Sequence, residues 1–275
     1  MSRNPFGQPI VKDTHGKGVY ALTQGQYELV QAIDKYDILF VNGPAGTGKT
    51  YLGTCKAVAA MDSGLVEGIV LTRPVIGADE DLGFLPGTFE DKIAPYMRPL
   101  YDSLEKLKPK APKIEEPTLG HHEPMKKGAP RRKGHVPIAE NGQRVSDPTK
   151  LIEWWKQIEI APLAYMRGAT FENRFVIIDE AQNVTKSQMK MFLTRLGRGS
   201  KVIICGDDTQ SDLKFNVESG FMHAQKLLEG VDGIGIIELS EKDIVRHKLV
   251  KDIIMRYEGS HRRRGVISNN DRDID

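Results

Sequence analysis

An apolar run, 38-ILFVN-42, passes directly into 43-GPAGTGKT-50, and a helix-compatible stretch, 50-TYLGTCKAVAAMDSG-64, follows. The middle segment fills every fixed position of G-x-x-x-x-G-K-[ST]. No other feature restricts the fold as much. A buried strand, a tight glycine turn and a helix start, in that order, build a phosphate site at the edge of an α/β sheet. Gly43, Gly46 and Gly48 let the backbone turn and approach phosphates without a Cβ in the way. The N–H groups from Ala45 to Thr50 are expected to converge on β- and γ-phosphate oxygens. Lys49 neutralises those phosphates and Thr50 offers a hydroxyl to Mg2+. Lys and Thr have no turn-forming role at these places. Binding and hydrolysis of a nucleoside triphosphate is the expectation.

The second signal is 175-FVIIDEAQ-182, four apolar residues running into Asp179 and Glu180. Two carboxylates at the C-terminal end of a buried strand sit where open α/β sheets hold their ligands. Asp179 is expected to partner Mg2+ and Glu180 to orient and activate the attacking water. The third signal, 202-VIICGDDTQ-210, repeats the pattern; Gln210 is a candidate γ-phosphate sensor, and Asp207 a holder of the loop or of a metal-bound water. Arg73, in 72-TRP-74, has two readings, contact with a nucleic-acid backbone or an internal salt bridge. Gln26, ahead of the loop, is a candidate for reading an adenine edge, because an amide both donates and accepts. Phosphoryl transfer also calls for a further cation. The candidates are Arg195, Arg198, Arg246 and Arg256, with Arg246 set between apolar positions in 244-IVRHKLV-250.

The remaining chain alternates between strand-like and helix-like segments, which predicts a mostly parallel sheet covered on both faces. Helices are expected over 23–36 with Thr23 as N-cap, 88–107 with turns or kinks at Pro95 and Pro99, 185–197, 219–230 and 241–259. Strands are expected over 66–74, 201–207 and 234–239. The predicted organisation is an extended arm at 1–22, one domain at 23–259 interrupted by an insertion at 108–148, and a frayed tail at 260–275. The insertion is proline-rich and basic. Residues 106–150 hold eleven Lys or Arg against five Asp or Glu, so a chain of net charge +2 carries about −4 elsewhere. Such a segment does not fold on its own, and it reads either as a nucleic-acid arm or as a solvated spacer.

Composition narrows the setting. The 275 residues are 39 % hydrophobic and 28 % charged, ordinary for a soluble protein. Cys55 and Cys205 are too few for a disulfide scaffold or a zinc site and suit a reducing, cytoplasmic environment. No segment has the apolar length to span a bilayer, and 1-MSRNPFGQPI-10 lacks the apolar core of a signal peptide.

Together these motifs resemble the PhoH family of P-loop ATPases, relatives of superfamily 1 helicases. The matching text includes GPAGTGKTYL at 43–52, LTRPV at 71–75, LGFLPG at 82–87, IAPLAYMRG at 160–168, FVIIDEAQN at 175–183, QMKMFLTRLG at 188–197, GDDTQSDL at 206–213 and VRH at 245–247. The resemblance implies a three-layer α-β-α P-loop NTPase with a superfamily 1 helicase-like core. It implies ATP bound by Gly43, Pro44, Ala45, Gly46, Thr47, Gly48, Lys49, Thr50 and Tyr51, with Gln26 on the adenine side. It also implies Mg2+ at Thr50 and Asp179, catalysis by Lys49, Glu180 and Gln210, and an arginine finger at Arg246. Ring-shaped homo-oligomers, hexamers among them, and roles in RNA metabolism or phosphate starvation come with the family. A compact member with a short arm suits a phage or bacterial protein. The long basic insertion departs from the family, which usually has a short link there.

Three functions follow from this reading. The first is an ATPase coupled to binding, and to unwinding or remodelling, of RNA or single-stranded DNA. The second is an ATP-dependent protein-interaction or assembly switch without helicase activity. The third is a nuclease using Asp207, Asp208 and Asp212.

Overall fold

The computed structural model describes residues 6–75, 89–109, 148–214 and 217–245, with Leu249 and Arg256. The chain opens with a hairpin, β1 (Val11–Lys12) antiparallel to β2 (Gly18–Val19). It continues through α1 (Gln24–Lys35), β3 (Ile38–Asn42), α2 (Lys49–Asp62), β4 (Gly68–Arg73), α3 (Phe89–Glu105), α4 (Pro148–Lys156) and β5 (Ile158–Pro162). Next come β6 (Arg174–Ile178), α5 (Lys186–Leu193), β7 (Lys201–Gly206), α6 (Gly220–Leu228) and β8 (Ile234–Glu238). The last six strands form one sheet, ordered β5-β4-β6-β7-β3-β8 and parallel throughout.

Side chains alternate along each central strand, and both faces are buried. Leu39, Val41, Ile177 and Ile203 join a core with α1, α2 and α3. Phe40, Val176, Ile178 and Ile204 join a second core with α5 and α6. This is the expected three-layer α/β architecture. Thr23 caps α1 by accepting from the Gln26 N–H. Thr185 and Gln188 form a reciprocal capping box at α5.

The strand order places the functional segments. The chain leaves β3, crosses to β4 and later returns to insert β6 and β7 between them. In register, Asn42 lies opposite Gly206, Ile178 opposite Ile204, and Thr72 opposite Ile178. The segments that follow these strand ends therefore emerge along one edge of the sheet.

Some boundaries differ from the sequence reading. The arm contains the β1–β2 hairpin, in which Asp13 accepts from the N–H groups of His15 and Lys17 across the turn. The helix expected to reach 197 stops at Leu193. The Thr194 hydroxyl donates back to the Lys190 and Met191 carbonyls, and Leu196 bridges to Phe171. The helix expected from 241 begins as a 3-10 turn, Glu241–Asp243. Most of its length, the segment 82–87, residues 110–147 and the tail lie outside the described residues. No helix among the described residues is long and apolar enough to cross a membrane.

Candidate active site

The phosphate loop joins β3 to α2 and is held from several sides. A Cβ at Gly43, whose φ is +150°, would sit 2.6 Å from the Leu239 carbonyl, so only glycine lets the loop pass the end of β8. The Gln26 Nε2 donates to the Thr47 carbonyl at 2.9 Å, and the Thr47 hydroxyl closes on the Pro44 carbonyl at 2.9 Å. Gly48 caps α2 in the left-handed region with no side-chain hydrogen bond to the helix end. The first N–H groups of α2 thus have no side-chain acceptor, which suits an anion. Lys49 is buried, and its ammonium donates to the Gly43 and Pro44 carbonyls. A phosphate oxygen would compete for the same donor.

Thr50 faces the end of β6, where its hydroxyl donates to Asp179 Oδ1 at 2.5 Å. Burial pushes the Asp179 carboxyl above its ordinary value. The Thr50 hydrogen bond opposes that rise, Glu180 adds to it, and Arg73 and Lys49 oppose it. A divalent cation at this hydroxyl–carboxylate pair would relieve the burial cost of the carboxylate. Asp207 supplies an independent sign: its Oδ2 is buried and without a hydrogen-bond partner, while Oδ1 accepts from Thr209. These oxygen donors fit Mg2+ in the presence of substrate phosphates.

Glu180 has φ +53° and ψ +41°, one of two non-glycine residues with positive φ among those described. Such a conformation costs of order 1–3 kcal/mol and persists only where its surroundings impose it. Here Arg73 reaches Glu180 Oε1 at 3.1 Å and Asp179 Oδ2 at 3.9 Å. The internal salt bridge expected as one reading of Arg73 is therefore present. Gln210 is exposed on the turn after β7. A cleft of about 390 Å3 is lined by Lys49, Thr50, Asp179, Glu180, Asp207 and Gln210, among others.

The other expected site residues distribute as follows. Gly46 and Tyr51 line the cleft; Gln26 lies beneath it, 4 % exposed, with Oε1 accepting from the Leu22 N–H at 2.9 Å. Arg195 and Arg198 sit before β7, at the opposite edge of the sheet, and neither lines this cleft. Arg246 lies outside the described residues. Asp208 and Asp212 are exposed while Asp207 is buried, and no metal-binding group of three His, Cys, Asp or Glu occurs among the described residues. Both cysteines are free and buried, and burial pushes the Cys55 thiol up to about 12.

Four contributors escaped the sequence reading. Pro99 and Ser103 of α3 reach the cleft, which no local pattern announced. Asn42, the polar residue ending an apolar strand, accepts from the Asp208 N–H at 3.1 Å. Asp243 joins the two chain segments beside the loop. It accepts from Thr23 at 2.6 Å, Gly25 at 3.2 Å and Ser240 at 2.9 and 3.1 Å, and the nearby Val245 N–H donates to the Gly46 carbonyl. Burial works to raise the Asp243 pKa, but the hydrogen bonds from Thr23, Ser240 and Gly25 outweigh it and hold the carboxyl below its ordinary value. A depressed carboxylate pKa contributes stability above the unfolded-state value, lost as pH falls through the folded one. Asp243→Ala is accordingly expected to cost about 1–3 kcal/mol at neutral pH. The gap from the parent should close below the carboxylate range, as read by urea titration at several pH values.

The family model described as PhoH-like protein matches residues 18–258. A PhoH-like protein of Bacillus subtilis is 45 % identical over 92 % of this chain and 68 % of its own length. A PhoH-like protein of Mycobacterium tuberculosis is 45 % identical over 88 % of this chain and 58 % of its own. The chain thus spans roughly three-fifths to two-thirds of these relatives. Among solved structures, Pif1 helicase from Candida albicans aligns with 80 % of this chain and 39 % of its own at 16 % identity. Its TM-score of 0.34 marks a remote likeness.

Proposed function

The chain belongs to the family of PhoH-like proteins, and from that premise we propose that it is a Mg2+-dependent ATPase whose hydrolysis is coupled to RNA or single-stranded DNA. The observation that carries this reading is the meeting of Lys49, Thr50, Asp179, Glu180 and Gln210 around one cleft. Lys49 leaves its loop carbonyls for the β- and γ-phosphates. Thr50 and Asp179 would hold Mg2+, which would supply neutralisation of charge developing on the phosphate oxygens. Glu180 takes the proton of the attacking water and Gln210 orients that water. Gln26 braces the loop beside the adenine side, and Arg246 supplies the remaining cation, in cis or from a neighbour.

Coupling to nucleic acid is supported by the order Gln26, phosphate loop, TRP, DEAQ and GDDTQ, and by the basic charge of 106–150. From the family resemblance we infer further a ring-shaped homo-oligomer, a hexamer, acting in the cytoplasm of a bacterium or a phage-infected cell. The test is ATP hydrolysis measured with and without RNA or single-stranded DNA across a salt series, with oligomer mass recorded alongside. Stimulation that weakens as salt rises is expected. Hydrolysis indifferent to both nucleic acids at low salt would leave the assembly-switch reading in its place.

A further inference from the structure

The side chain that ties the acidic strand end to the turn bearing Gln210 is Gln182. It is 1 % exposed. Its Nε2 donates to Glu180 Oε2 at 2.6 Å and to the Gln210 carbonyl at 3.3 Å. Its Oε1 accepts from the Asp207 N–H at 3.1 Å. The amide orientation is dictated by these partners, because a carboxylate and a carbonyl only accept and a backbone N–H only donates. Both amide protons are used, so the group has no spare donor to offer a ligand.

The rest of the surroundings makes this arrangement specific. Glu180 needs an outside restraint, since its backbone is in the left-handed region and its carboxylate is partly exposed. One oxygen has Arg73, a charged partner that an incoming anion can take away; the other has Gln182, which is buried and neutral. The turn bearing Gln210 is in turn held by amides: Asn42 accepts from Asp208, Asn183 from Asp212 and Gln182 from Asp207. Of these three side chains, only that of Gln182 also bonds to the Glu180 carboxylate among the described contacts.

We propose that Gln182 is the positioning residue of this site, fixing the Glu180 carboxylate and setting its distance from the Gln210 turn through one buried amide. The inference rests on the ATPase reading above. It implies that a shift of the Gln210 turn, on sensing the γ-phosphate, is transmitted to Glu180 through the Gln182 side chain.

Gln182→Glu separates this role from a merely structural one. The introduced carboxylate still accepts from the Asp207 N–H and fills nearly the same volume. Toward Glu180 it replaces a donor by an acceptor. Its kcat should be at least about tenfold below the parent's, the scale of a lost hydrogen bond to a charged group, with KM for ATP little changed. Gln182→Met, neutral and of similar size, should lower kcat to a similar extent and leave ATP affinity intact, whereas a general loosening of the site would raise KM as well. Thermal melts confirm that the compared species are folded. If Gln182→Glu is not folded, the Gln182→Met kcat decides alone. Parental kcat in Gln182→Met, or loss in both variants through ATP affinity rather than kcat, would overturn the inference. A parent protein without ATP hydrolysis would instead overturn the underlying function.

Discussion

Lys49→Ala is expected to abolish the rise in melting temperature on adding ATP and Mg2+, and hydrolysis with it. The ammonium is buried and has no carboxylate within salt-bridge distance among the described residues; its hydrogen-bond partners are the Gly43 and Pro44 carbonyls. It is therefore a single positive charge kept at low exposure beside an uncapped helix start, an arrangement that a phosphate completes and a neutral ligand does not. Removing one partner from a buried charge pair typically costs about 3–5 kcal/mol, a factor of roughly 10^2–10^3 or more in affinity. A ligand at a hundred times its Kd stabilises a fold by about 2.7 kcal/mol, a rise of several degrees in Tm for a domain of this size. In Lys49→Ala that rise should vanish at the same ATP concentration. The variant's own melting point should move much less, because the loop remains braced by Gln26, Thr47 and the packing of Gly43 against Leu239. An undiminished ATP-induced shift in the variant would mean that nucleotide binds elsewhere.

The parts of this site that were legible in the sequence are those where one residue type has one physical reason to be there. The phosphate loop was legible because lysine and threonine at fixed spacing after turn-forming glycines have no turn-forming role of their own. DEAQ was legible because charge directly after a buried strand needs a partner. The sheet followed from apolar runs alternating with helical spacing, and the run 38–42 landed in it as β3, between β7 and β8. What stayed hidden depended on contacts distant in sequence. Asp243 is about 220 residues from Thr23 and looks like an ordinary helix-start acid in the sequence; only the fold brings it against the first turn of α1. Pro99 read as helix punctuation and Ser103 carried no signal, yet both line the candidate cleft. Gln182 was visible as a letter of a motif, but its task depends on the turn after β7 lying alongside β6, which is a matter of strand order. Gly206 is similar: its reason is the Phe221 ring, 2.7 Å from where a Cβ would be. Arg73 was legible as two alternatives, and the salt bridge to Glu180 required the register that sets β4 beside β6.

Glu180→Gln is expected to keep ATP binding and to lower the rate of hydrolysis by about 10^2–10^4, the range that a positioned general base contributes. The residues expected to hold phosphate, Lys49 and the start of α2, do not depend on the Glu180 carboxylate. The Thr50–Asp179 pair is also independent of it in its hydrogen bond. The substitution removes a charge next to Asp179, and Glu180 is one of the groups pushing the Asp179 carboxyl upward. Asp179 should then ionise slightly more easily, so metal-supported ATP affinity is expected to hold or tighten. Loss of the Arg73 ion pair is a small effect on the fold, because both side chains are partly exposed and such pairs contribute about 0–1 kcal/mol. The near-isosteric amide can still accept from Gln182, so geometry is retained while basicity is removed. Direct measurement of ATP affinity together with single-turnover hydrolysis separates the two effects. Bound ATP that persists with little turnover identifies Glu180 as the base. Hydrolysis at the parent rate would move that role away from Glu180 and leave its strained backbone and its two hydrogen-bonding neighbours without a catalytic reason.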